Sequence, residues 1–447
     1  MHTVREQAAD LRFMVADASD DDLLAATALN HLDWMKRLAI ASRGIAEEED
    51  GVHWTYTSRA EREVSAAVVD QPGPGVRAQL GRLLEMCRRE QVDRVGYWAF
   101  SDGYRSPLGG WLAARGFRWG NRPHWMSLDL RSVPSLPSLA ELTAATGIML
   151  TDRFVPQEGS QLPCYEPDTA PVREAMAAQL PRRVWHPILM SEGRPAGQVS
   201  VCATSGDLGV FGCHDLIVVA PDRVRGLALS RIQWLCRFAI DLGSRYLVTN
   251  AADQTAALYR AAGLRTLGFG QTWWLPGHAL HDDPPPAKAA FAEAIGAGDL
   301  DALDSLAADL TRAELDAPLP NGMTPLQLAG ATGHTDSAAW LVDRGAHLDV
   351  LGAWDLGWKD EAWRLLRDNP GLVDQRRPRS GKTLLHVAAE RDDVDLAELL
   401  LRAGIDTTVT DSRFGGTALD WTRELGRPRV AAAIRRQHTR APDHRIN

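Results

Sequence analysis

Near the C-terminus a glycine stands two residues before a threonine three times: Gly322 before Thr324, Gly381 before Thr383, and Gly415 before Thr417. Glycines 381 and 415 are 34 residues apart, and the 59 residues between 322 and 381 hold one full unit and a shortened one. Repetition on this scale dictates the architecture. A unit so short cannot bury its own apolar stripe, so units must stack on their neighbours. Each threonine opens an apolar run, as in Thr324-Pro-Leu-Gln-Leu-Ala329 and Thr383-Leu-Leu-His-Val-Ala-Ala389. Partner segments around Trp340–Ala346 and Leu399–Ile405 run into Gly345 and Gly404, the residue type that ends a helix. The expectation is an all-α solenoid of helix pairs, with a face for binding and no chemistry of its own.

A second recurrence has the length of a domain. Gly116 and Gly263 lie 147 residues apart, each preceded by a helix pattern and followed by a strand that ends in tryptophan (Trp125; Trp273 and Trp274). Upstream of each glycine the order is strand, Pro/Gly turn, long helix, strand, helix. Two copies of one α/β plan explain this better than two unrelated segments that share only strand–helix alternation. Proline-rich breaks at Ser132–Ser138 and His281–Ala287 divide the chain into 1–132, 139–280 and 287–440. Of the 447 residues, 45% are hydrophobic and 24% charged, ordinary globular material. The net charge of −9 argues against a nucleic-acid partner. No signal-peptide core and no apolar run of 18 residues occurs, so no membrane partner and a cytoplasmic location are expected. Five cysteines without a CxxC pair imply reduced thiols and no metal.

Chemistry concentrates in the second block. An apolar strand run from Val210 to Val219 stops at Pro221, and Arg223-Val-Arg-Gly-Leu-Ala228 then opens a long amphipathic helix. Gly226 and Ala228 are small enough for backbone N–H groups at the helix start to approach an anion. The bare donors and the positive end of the helix dipole make a pyrophosphate site, with Arg223 and Arg225 adding charge. The pattern gains weight from two segments at the proper distances downstream: Val248-Thr-Asn250 ending the next strand, and Leu258-Tyr-Arg-Ala-Ala-Gly263 on the next helix.

This ordered set resembles the GNAT acyltransferase superfamily, and the C-terminal repeats resemble ankyrin repeats. The resemblance implies two tandem GNAT folds with mixed α/β (α+β) sheets, followed by the ankyrin stack. It further implies that Arg223, Val224, Arg225, Gly226, Leu227 and Ala228 grip the diphosphate of acetyl-CoA and that Asn250 meets the pantetheine arm. A backbone N–H near Val218 or Val219, where the family strand bulges, would polarise the thioester. Tyr259 would protonate the leaving thiolate. An amine acceptor needs a base, for which Asp215 comes first, then His214 and Glu166. Glu158 and Glu166, on a polar loop early in the block, would suit a cationic amine. In the first block the turn Gln71–Gly75 has no such arginine motif, and Leu112 stands where Tyr259 stands, four before the glycine. That copy is expected to be degenerate. The reading is an N-acyltransferase acting on an amine, a small molecule before a protein, with a protein partner on the ankyrin face. The rival is a non-catalytic interaction protein whose α/β part is a CoA-binding or structural platform.

Overall fold

A computed structural model describes residues 10–57, 62–68, 73, 75–100, 108–218, 227–281, 284–307, 310–377, 380–412 and 414–440. The chain divides into two units, Met1–Ala289 with Pro320–Gly322, and Ala290–Leu319 with Met323–Asn447. The first is mixed α+β and the second helical.

Among the described residues, fourteen strands build two sheets in the first unit. They are β1 Ile45–Glu49, β2 Val52–Tyr56, β3 Glu63–Val68, β4 Arg94–Ala99, β5 Arg118–Trp119, β6 His124–Asp129, β7 Ile148–Leu150, β8 Val184–Trp185, β9 Pro187–Ser191, β10 Arg194–Ala203, β11 Phe211–Val218, β12 Tyr246–Ala251, β13 Arg265–Phe269 and β14 Gln271–Pro276. One sheet has the order β1-β2-β3-β4-β14-β5, the other β13-β6-β12-β11-β10-β9-β7, with β8 on β10. Within each sheet one pair is parallel, β3 with β4 and β11 with β12, and the other pairs are antiparallel. Starting from the strand before the parallel pair, both sheets repeat one sequence of roles: β2-β3-β4 and β10-β11-β12, then a strand from the other block, then β5 or β13.

The exchanged strands carry the tryptophan endings. β6 of the first block lies between β12 and β13, with Trp125 and Met126 fully buried in the second sheet. β14 of the second block lies between β4 and β5, with Trp273 fully buried against Trp119. Trp274 fits because β4 offers Gly96 directly opposite, where a Cβ would come within 2.6 Å of the indole ring. A flat aromatic against a bare backbone thus sets the register of the insertion.

One long helix, Asp20–Ala41, serves both sheets. Ser19 and Asp22 close a capping box at its start, and three acidic residues face the positive end of its dipole. Its buried side chains (Leu23, Ala26, Thr27, Asn30, His31, Trp34, Met35) form a broad face, wide enough to meet two sheets, while Asp22, Leu29, Lys36 and Ile40 make an exposed stripe. It touches β1 and β2 of one sheet and β6, β10, β11, β12 and β13 of the other.

In the second unit helices come in pairs: Pro286–Ala297 with Leu300–Ala307, Pro325–Ala331 with Thr335–Asp343, Val350–Asp355 with Lys359–Asp368, Leu384–Arg391 with Val394–Arg402, and Ala418–Glu424 with Pro428–Arg440. Thr324, Thr383 and Thr417 are N-caps with complete capping boxes, so the recurring threonine marks a helix start. Asp349 caps the pair between, which has no threonine; the shortened step is the one from Thr324 to Asp349, and the step from Asp349 to Thr383 is full-length. The backbone N–H of Thr383 donates to His386 Nδ1, leaving Nε2–H to donate to Gly416 O at 3.0 Å in the following repeat. Indole N–H groups also tie neighbouring pairs, Trp354 to Asp393 at 2.7 Å and Trp340 to Asp304 at 2.8 Å. Among the described residues no helix is long and apolar enough to cross a membrane, and no group of three or more His, Cys, Asp or Glu could hold a metal ion.

Strand exchange makes a prediction. Fragments 1–132 and 139–280 each lack a central strand of their own sheet, so each alone is expected to give no cooperative thermal transition by circular dichroism, whereas 1–289 unfolds cooperatively. A folded 139–280 fragment would show that β6 is dispensable.

Candidate functional site

The two parallel pairs differ where chemistry would sit. β3 and β4 stay in register over six pairs, from Glu63↔Arg94 to Val68↔Ala99. β11 and β12 pair only at Phe211↔Leu247, Gly212↔Val248 and Cys213↔Thr249. Beyond Cys213 they part. β12 continues along β6 to Ala251↔His124, while β11 follows β10, pairing Ile217 with Gln198 and Val218 with Gly197. Between Ser200↔His214 and Gln198↔Ile217 the strand β11 carries one extra residue. Asp215 stands in that bulge with φ +48°, a left-handed backbone that Asp tolerates better than most residues. The bulge therefore falls at Asp215, ahead of Val218, which pairs in register with Gly197; Val219 lies outside the described residues. Separation begins directly after Cys213, so the extra residue that redirects β11 must come there.

At the apex of this wedge lies Tyr259, on the helix Asp253–Ala261. Its hydroxyl is 3.4 Å from Cys213 Sγ, and Thr249 Oγ1 donates to Cys213 O at 2.9 Å. Burial, with the Cys213 thiol beside it, holds the phenol's pKa well above its ordinary value. Burial also pushes the Cys213 thiol up to about 12. Both groups are therefore protonated at neutral pH. The matching position of the first block is Leu112, wholly buried on the helix Gly109–Ala114.

Successive strand residues face opposite sides of a sheet, and the other side of the wedge meets the helix Asp20–Ala41. Two adjacent residues of that helix fasten the two parting strands. His214 Nε2–H donates to Asn30 Oδ1 at 2.9 Å, and Asn250 Nδ2–H donates to His31 Nδ1 at 2.9 Å. Asn30 also donates to Cys202 O on β10 at 2.9 Å. This approach needs the glycine at 212, whose Cβ would sit 1.7 Å from Asn30 Oδ1. Trp34, one turn on, stacks flat on His214 with ring centroids 4.8 Å apart. Burial drives His31 down to about 4 and His214 well below its ordinary value, so both rings are neutral.

Asn250, expected at the pantetheine arm, thus spends its amide on His31. Asp215, expected as a base, is engaged by the guanidinium of Arg173 at 2.8 Å, and Arg173 lies 5.1 Å from the Trp34 ring centroid. Val218 ends β11, paired with Gly197 of β10. Leu227 and Ala228 open the helix Leu227–Leu242. Val219, Arg223, Val224, Arg225 and Gly226 lie outside the described residues. In the loop after β7, Gln157 N–H donates to Tyr165 O at 2.7 Å and Cys164 N–H to Gln198 Oε1 at 2.8 Å, so the loop is folded back on β10. Glu158 is exposed there, and Glu166 accepts from Thr169 at 3.2 Å. Asn30, His31 and Trp34 had no signal in the sequence beyond membership of an apolar helix.

Comparison with known proteins bears mainly on the second unit. The ankyrin repeat family matches residues 321–353 and 380–412, so the C-terminal region contains ankyrin repeats. No curated protein matches the chain. Solved structures that resemble parts of it include the following. A GCN5-related N-acetyltransferase from Kribbella flavida is 13% identical with a TM-score of 0.37, covering 56% of this chain and 95% of that one. A functionally unknown conserved protein from Staphylococcus epidermidis is 13% identical with a TM-score of 0.36, covering 53% and 95%. The predatory endopeptidase Bd0816 from Bdellovibrio bacteriovorus in complex with immunity protein Bd3460 gives 23% identity and a TM-score of 0.28, covering 33% and 79%.

The buried histidines make stability depend on pH. His31 and His186 are lowered from 6.5 to about 4 and about 3, both by burial and His186 also by Arg173. The unfolded chain takes up these protons first, so the contribution is complete above pH 6.5 and is lost as pH falls toward 4. At about 1.4 kcal/mol per unit, His31 alone accounts for roughly 3 kcal/mol. Urea denaturation at pH 7 and pH 4.5 should show this loss, and His31→Gln should flatten the profile. A pH-independent midpoint would contradict neutral burial.

Proposed function

We propose that the first unit is an acetyl-CoA-dependent N-acyltransferase with its active site at the β11/β12 wedge, and that the ankyrin repeats are a protein-binding module. The observation that carries the reading is the parting of a parallel pair after Cys213↔Thr249, with the Tyr259 phenol at the apex. Two strands held apart leave backbone groups facing a gap wide enough for an extended chain, and the pantetheine arm is such a chain. The helix starting at Leu227 continues from Arg223–Gly226, where we place the diphosphate. Polarisation of the thioester carbonyl falls to a backbone N–H of the bulged stretch Asp215–Val218.

In this reading the acceptor nitrogen attacks the acyl carbon, a C–N bond forms and the C–S bond breaks. The Tyr259 proton passes to the thiolate sulfur, and the proton lost by the amine restores the phenol through solvent. A phenol kept neutral by burial is suited to this, since its anion cannot persist there. Asp215 serves the bulge in this scheme, with Arg173 as its counterion, and does not accept the amine proton. The first block, whose parallel strands stay closed over six pairs and which has Leu112 in the matching place, takes the supporting role. It gives β6 to the catalytic sheet and lends it the helix Asp20–Ala41.

Calorimetry of the full chain with acetyl-CoA tests the reading first. Binding at micromolar strength is expected, abolished by Arg223→Glu and by Gly226→Trp; no binding to the parent protein would overturn it. With an amine that turns over, Tyr259→Phe should lower kcat about a hundredfold with KM for acetyl-CoA little changed. Unchanged thiol release would remove Tyr259 as the acid.

A further inference from the structure

The Asn250–His31 bond has a consequence for what the wedge accepts. Asn250 donates to Nδ1, so the proton of the neutral His31 ring sits on Nε2. That N–H is buried and has no partner among the described residues. A second buried donor in the same cluster, Trp125 Nε1–H, is likewise without a partner among them, and the two ring centroids are 6.0 Å apart. An unsatisfied buried N–H costs about 1–3 kcal/mol, and two in one cluster mark a place where a ligand acceptor atom would be received.

The rings around these donors are flat and apolar. Trp98 lies 4.6 Å and Phe100 5.6 Å from the His31 ring, and Phe100 stacks on Trp125 at 4.9 Å. Asp33 of the same helix is matched by Arg37 at 2.7 Å, and Asp215 of β11 by Arg173. His31 and His214 are neutral. The cluster therefore offers stacking surface and hydrogen-bond donors, and neither of those carboxylates is free to balance an ammonium group.

We propose that this cluster binds the acyl acceptor, and that the acceptor is a neutral aromatic or heteroaromatic amine bearing a hydrogen-bond-accepting atom for His31 Nε2–H and Trp125 Nε1–H. As the substrate class of the wedge, this rests on the transferase reading; as a binding site, it does not. The chemistry is consistent from end to end. Aromatic amines are unprotonated at neutral pH, so they need no base to expose the nucleophile, and the base candidate Asp215 is committed to Arg173. His31 is bonded to Asn250, the first residue of β12 beyond the last pair with β11, so an acceptor held on His31 has its nitrogen beside the gap.

The test is calorimetric titration of the full chain with 4-aminobenzamide, a neutral arylamine with a carbonyl acceptor, and with the polycation spermidine, both without acetyl-CoA. Binding of 4-aminobenzamide is expected at sub-millimolar strength, weakened at least tenfold in His31→Leu and in Trp125→Phe, with no binding of spermidine. Trp125→Phe keeps a six-membered ring and removes the unpartnered N–H together with the five-membered ring of the indole, so its melting temperature should fall, and a parent-like circular-dichroism spectrum at the titration temperature shows that lost ligand binding is not lost fold. Binding by the two variants as tight as by the parent protein, no binding of 4-aminobenzamide, or preference for spermidine would each overturn the proposal. Acetyl-CoA titration on the same samples reports separately on the transferase reading, which can fail while the arylamine site stands.

Discussion

β6 and β14 are each a central strand of a sheet to which the rest of their block does not belong. A strand in that place supplies backbone hydrogen bonds on both edges and side chains to both faces, so neither sheet is complete without the other block. This exchange ties residues 124–129 to 246–251 and 271–276 to 94–99. It also buries Trp125 and Trp273 where no solvent reaches. Ala67 and Phe100 of the first block thereby share one apolar cluster with Trp125 in the second sheet and Ala28 of the helix Asp20–Ala41, and that helix can present polar side chains beside it because Asn30 and His31 find fixed partners there.

Those partners define the wedge. A parallel pair that parts in mid-sheet gives up backbone bonds, and something must keep the gap at a constant width. On one side the left-handed Asp215 steers β11 onto β10, with Arg173 neutralising its carboxylate. On the other, Asn30 and His31 act as two rungs from one helix, one to each strand. The helix backbone sets the spacing between neighbouring residues, so it sets the spacing of the strands they hold. Deleting either contact leaves buried polar groups unpaired, which makes the arrangement stiff.

The second unit works by different physics. Its repeats hold together through capped helix starts, a continuous apolar core from Val350 to Ile434, and side-chain bonds between neighbours such as His386 to Gly416 O. Each unit buries its stripe only on the next, so stability accrues along the stack. The pair that departs from the threonine pattern is capped by Asp349, which supplies the same oxygen to the same orphan amides.

Local rules were legible in the residues themselves. Thr324, Thr383 and Thr417 announce helix starts because capping is settled within four residues. Gly116 and Gly263 end helices with φ of 84° and 95°, a conformation that glycine enters without penalty. Strands and helices of both blocks and the long helix after the arginine motif follow from period and order in the same way. Which sheet each tryptophan strand would join did not follow, because β6 and β14 satisfy the same pattern in either sheet. That choice rests on contacts between residues more than a hundred positions apart. The bulge at Asp215 and the Asn30–His31 bridge belong to the same class. Nothing within a few residues of them distinguishes an ordinary strand aspartate or a buried helical histidine, and only the closing of two sheets on one helix gives those side chains their partners.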